Sequence, residues 1–68
     1  MEGFQYVRLY SVWCEDSSKW CGMSPKNRLE LCDRPCVSMM SMDEVGARLR
    51  ARSLAREFSD HKFIVKEV

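Results

Sequence analysis

From Ser41 onward the chain reads as one amphipathic helix followed by one short apolar strand, and this pairing constrains the fold more than any other stretch. Ser41-Met42-Asp43-Glu44 has the form of a capping box, in which a hydroxyl accepts the N3 backbone N–H and a carboxylate three residues on reaches back. Ala47, Ala51, Leu54, Ala55 and Phe58 recur at the spacing of one helical face, which predicts a helix from Met42 to Phe58. Gly46 weakens its start by up to about 1 kcal/mol relative to alanine. Ser59-Asp60-His61 breaks the period. Lys62 to Val68 then alternates as a strand, with Phe63 and Val65 expected beneath the helix and its small alanines.

The first half supplies the rest of a sheet. Phe4 to Trp13 is aromatic and β-branched on both alternating faces, as in a covered strand, and Arg8 directs the reading to Val7 and Leu9 as the inner side. Cys14 to Asn27 is punctuated by turn formers, Asp16-Ser17-Ser18, Gly22 and Ser24-Pro25. Two readings stay open there: a hairpin at Glu15 to Lys19 that returns Trp20 to Trp13, or a one-turn helix ending at Gly22. Arg28 to Cys32 alternates polar and apolar as a half-buried strand does. Pro35 belongs in a turn because it lacks a ladder donor, and Cys36 to Met39 can pair back. The expected fold is therefore α+β, one domain over residues 1–68. A small antiparallel or mixed sheet of three to four strands carries one C-terminal-half helix on one face, in the order β-β-β-α-β.

A core this small leans on a metal, a disulfide or a second subunit, so a homodimer is one expectation and the four cysteines another. Their spacing is Cys14-x6-Cys21, then Cys32-x3-Cys36. Structural zinc takes pairs two to four residues apart at tight turns. Cys32 and Cys36 meet that spacing and Cys14 and Cys21 do not, while His61 could replace one sulfur. Buried free thiols lead, because free cysteine behaves as a small hydrophobe. Zinc on Cys14, Cys21, Cys32 and Cys36 and a disulfide framework follow behind.

A net charge of +1 carries no global signature of a nucleic-acid or membrane-surface binder. The local pattern is more telling. Arg48, Arg52 and Arg56 stand at i, i+4 and i+8 as a basic ridge, with Val45 and Leu49 close beside it. Such a ridge can pair bidentately with an acidic protein surface, track a phosphate backbone, or be a solvated face with local partners such as Glu44. Trp13 and Trp20 are either core filler or exposed anchors for a partner. The Met39-Met40-Met42 cluster reads as gap filler.

No P-loop, dinucleotide glycine pattern or C-x-x-C pair is present, and the only histidine has no nucleophile at a telling spacing. With little volume for a closed pocket, no enzyme is expected. No basic region leads into an apolar run and no stretch approaches a membrane span, so a cytoplasmic protein with no membrane partner is expected. In size and layout the chain resembles very short proteins of phages and mobile elements, anti-CRISPR proteins among them. That resemblance implies an inhibitor of a larger host complex. The functional expectation is a non-enzymatic protein that docks on a larger protein through Arg48, Arg52, Arg56, Trp13 and Trp20. The alternative is a small cysteine-ligated zinc module binding nucleic acid.

Overall fold

The computed structural model describes residues 8–26 and 28–68. It holds one four-stranded antiparallel sheet and one α-helix in the C-terminal half, an α+β fold. The elements are β1 (Tyr10–Cys14), β2 (Lys19–Met23), β3 (Leu29–Cys32), a 3₁₀ turn (Val37–Met39), α1 (Glu44–Glu57) and β4 (Phe63–Glu67). Strands lie in the order β3-β2-β1-β4, so β1 is central and the chain's last strand closes on its free edge.

β1 and β2 form the hairpin, joined by Glu15 to Ser18, with Trp13 opposite Trp20 and Cys14 opposite Lys19. Ser18 takes a left-handed φ of 54°, which closes the turn. Short polar side chains tolerate that region better than β-branched ones. The pairing of β1 with β4 runs from Tyr10 opposite Glu67 to Cys14 opposite Phe63. At its other edge, Tyr10 exchanges both backbone bonds with Ser41 at 2.8 Å, so the chain entering the helix is stitched to the central strand.

That stitch alters the expected cap. Ser41 is held extended by Tyr10, and its hydroxyl accepts the Asp43 N–H at 3.0 Å, while Asp43 itself accepts from Val45 N–H at 3.1 Å as the N-cap. The helix therefore starts at Glu44, two residues later than predicted. Its inner face is as expected except at Ala55, which is exposed. Ala47, Ala51 and Leu54 are buried, and Ala51 and Leu54 share a core with Val12, Cys14, Cys21 and Met39, against which Phe63 and Val65 pack. At the C-terminal end Phe58 N–H reaches Leu54 O at 2.7 Å and the chain turns into β4.

Three expectations are corrected. The inner side of β1 carries Val12 and Cys14 in place of Leu9 and Trp13, because α1 covers that face, and Val7 lies outside the described residues. Strand geometry in the first stretch begins at Tyr10, and the expected strand over 4–7 also lies outside them. Cys36 to Met39 is no return strand. Met39 N–H bonds Cys36 O and Met40 N–H bonds Val37 O, which coils the segment across β2. The third strand before the helix is instead Lys19–Met23, the return arm of the hairpin.

Candidate functional site

α1 sets out two opposed faces. At 100° per residue, Val45, Arg48, Leu49, Arg52 and Arg56 fall within an arc of roughly 100°, opposite the buried Ala47, Ala51 and Leu54. Val45 and Leu49 are 60% and 59% exposed, and they lie one turn apart between the arginines. Arg48 is paired with Glu44 at 2.9 Å in the i, i+4 geometry. Among the described residues no ion pair or hydrogen bond engages Arg52 or Arg56. Arg50, off this arc, donates to Ser38 O at 3.1 Å and pins the helix to the 3₁₀ turn. Beside the ridge an open groove of about 420 Å³ runs between α1 and β4, with Arg48 and Arg52 above Phe63 and Val65.

The two tryptophans meet, but elsewhere. Register places Trp13, Trp20 and Ile64 on the sheet face away from α1. The indoles pack edge to face with centroids 5.0 Å apart at 80°. Lys66 Nζ sits 3.8 Å over the Trp13 ring, a cation–π contact that caps the pair. Both rings are half-buried. The five residues expected to dock a partner thus divide into two sets on opposite sides of the sheet, which one flat surface cannot engage together.

The four cysteines are free thiols and do not form one ligand set. Cys32 and Cys36 face each other with sulfurs 3.2 Å apart across the Asp33-Arg34-Pro35 turn. The hydrogen bond its thiol makes to Cys36, then partial burial, pushes the Cys32 thiol up to about 11. Burial, then the neighbouring thiols, pushes Cys21 up to about 12, so it is an inert core group. Cys14 belongs to a different cluster. Its sulfur lies 3.2 Å from Asp16 Oδ1 and 3.6 Å from His61 Nδ1, and His61 Nδ1 is 3.0 Å from Asp16 Oδ2. Among the described residues these three are the histidine, cysteine and acidic side chains that converge closely enough to share an ion.

Asp16 is the hub of that cluster. The Lys62 backbone N–H bonds its Oδ1 at 2.8 Å, and with the Cys14 thiol and the His61 ring this holds its carboxyl well below the usual carboxylate range. The same His61 nitrogen faces both Cys14 and Asp16. A nucleophile relay needs one ring nitrogen for each partner, so the arrangement differs from a catalytic triad. The carboxylate clamps the hairpin turn to the entry of β4. Asp16→Ala should lower the thermal midpoint well below that of the control Asp60→Ala, read by circular dichroism. The sign with pH follows from the lowered value. Asp16 stabilises the fold above its ordinary 3.8, and that contribution fades as pH falls toward the depressed value. Acid sensitivity below 3.8 should therefore diminish in Asp16→Ala.

In the sequence His61 reads as a substitute ligand or as a histidine without a nucleophile at a telling spacing, and Asp16 carries no signal beyond that of a turn former. The usable signal was register. An antiparallel β1–β4 pair ending at Cys14 and Phe63 must bring the residues after Cys14 beside those before Phe63. No helix among the described residues is long and apolar enough to cross a membrane. No family model matches the chain, and neither the curated proteins nor the solved structures contain a match to it.

Proposed function

We propose that this protein is a non-enzymatic interaction module that docks on a larger protein through the outer face of α1. The single observation that supports this reading is the exposed Val45–Leu49 pair set among Arg48, Arg52 and Arg56. Two adjacent exposed aliphatics set among arginines make a small apolar centre with a basic rim, and arginine is enriched at protein interfaces where acidic groups can pair with it bidentately. The same pair argues for protein over nucleic acid. A phosphate backbone offers nothing to two adjacent aliphatic side chains, whereas an acidic protein surface with an apolar centre offers both contacts. Inhibition of a host complex would be one use of such a surface.

Arg52→Glu tests the reading. Because Arg52 is exposed on the ridge, folding stability should stay within about 0.5 kcal/mol of the parent. Capture of the partner by the immobilised chain should fall at least tenfold, and Leu49→Glu should do the same. A variant that binds as well as the parent, or that unfolds, contradicts the reading. So does binding that vanishes between low and physiological salt and is competed by unrelated nucleic acid.

A further inference from the structure

We propose that Cys14, Asp16 and His61 form a zinc site that staples the β1–β2 turn to the start of β4, with one coordination position open to solvent. The cluster joins residues far apart in the chain: Cys14 and Asp16 at the end of β1 and its turn, His61 immediately before β4. Cys14 is fully buried, His61 half-buried and Asp16 exposed, so the donor set runs from the core to the surface.

The spacing suits a small borderline ion. Zinc bonds of about 2.0–2.3 Å at tetrahedral angles put S, N and O donors about 3.3–3.6 Å from one another. The observed separations are 3.6 Å for sulfur to Nδ1, 3.2 Å for sulfur to Oδ1 and 3.0 Å for Nδ1 to Oδ2, and one donor atom from each of the three residues lies within 4.8 Å of the others. Donors this close seat an ion with modest side-chain adjustment. The donor set also selects the metal. A thiolate with an imidazole suits zinc and excludes magnesium and calcium, which take oxygen.

The surroundings are those of a ligand set held in place. Lys62 N–H fixes Asp16 Oδ1 at 2.8 Å, leaving Oδ2 to turn toward the ion, and the Ser17 hydroxyl, which accepts from the Cys14 thiol at 3.5 Å, is placed to donate to the thiolate once that proton has left. On binding, the Cys14 thiol releases one proton to solvent, and the neutral His61 ring takes the tautomer with its hydrogen on Nε2, so that Nδ1, which faces both Cys14 and Asp16, offers its lone pair to the ion. Three protein ligands leave a fourth position for water or for a donor from a bound partner. For a domain this small, such a staple supplies stability that the core cannot.

Cobalt(II) titration of the reduced full chain tests the site, with zinc as the competing ion. One equivalent should give a thiolate-to-cobalt charge-transfer band, which zinc abolishes, and zinc should raise the thermal midpoint. Losing a direct ligand in His61→Ala should weaken cobalt by more than the roughly 100-fold typical of outer-shell partners. Cys32→Ser/Cys36→Ser should keep the band. Zinc should also shift the His61 imidazole proton resonances of the parent chain stoichiometrically, a readout that needs no variant to fold. No band in the parent, an undiminished band in His61→Ala, unmoved His61 resonances, or a band lost with Cys32 and Cys36 would each overturn the proposal.

Discussion

Leu54→Ala is expected to lower the unfolding free energy by about 2–5 kcal/mol, the range for truncating a buried leucine to leave a cavity. Leu54 is 3% exposed on the inner face of α1, in one cluster with Val12, Cys14 and Ala51. Its neighbours have little scope to collapse into the space. Val12 and Cys14 are fixed by the β1–β4 ladder, and Ala51 has no side chain to extend. A single core in a chain of this length rarely supplies more than about 3–5 kcal/mol in all. The variant should therefore be largely unfolded at 37 °C, with lost helical ellipticity and no cooperative melt. Ala55→Gly, on an exposed position of the same helix, should cost only about 1 kcal/mol and melt cooperatively, which separates helix propensity from packing.

Gly22→Ala is the second large effect, at about 1–3 kcal/mol, because the site has no room for a methyl group. A Cβ at Gly22 would sit 2.8 Å from the Cys36 sulfur and 3.2 Å from the Cys32 sulfur. Each cysteine has one torsion with which to retreat, and the two sulfurs already touch. The substitution would drive them against each other or bend β2 away from the segment that crosses it. The mechanism predicts its own rescue. Removing the Cys36 sulfur leaves its Cβ at 3.7 Å, an ordinary contact, so Cys36→Ala should recover part of the loss in a double-mutant cycle. Additive costs in urea melts would show that the sulfurs are not the obstacle.

The helix was legible because it has one buried face, which leaves a clean period of 3.6 in the residues, and β4 because it is a short apolar run, Phe63 to Val65, half-buried on both faces. Ala47, Ala51 and Leu54 are buried as their spacing requires. β1 was legible as a strand but not as to its inner side. Aromatic and aliphatic residues occupy both of its faces, one set under α1 and the other in the Trp13–Trp20–Lys66 cluster, so alternation carried no sign. The 3₁₀ turn at Val37–Met39 escaped because β-branched and flexible residues there also suit a strand. Its coiling is decided by the tertiary crossing of β2. The cap moved from Ser41 to Asp43 for the same kind of reason, a backbone bridge to a residue 31 positions earlier in the chain.

The candidate sites divide along the same line. The arginine ridge is a local, helical property and could be read directly, although its most informative members are the exposed Val45 and Leu49 beside it. The Cys14–Asp16–His61 cluster depends on sheet register across 45 and 47 positions, which cysteine spacing alone does not record. Cysteine-only counting grouped Cys14 with Cys21, Cys32 and Cys36. The sheet instead separates Cys14 into the turn cluster and Cys32 with Cys36 into a facing pair.

Site-specific photo-crosslinking in extract of the source cell tests the docking face most directly. A benzophenone side chain is placed at Leu49 in one variant and at Trp20 in another, on opposite sides of the sheet. The account predicts a discrete covalent adduct with a protein from position 49, lost on adding Arg52→Glu, and none from position 20. An adduct from position 20 alone, an adduct only with nucleic acid, or no adduct from either would contradict it.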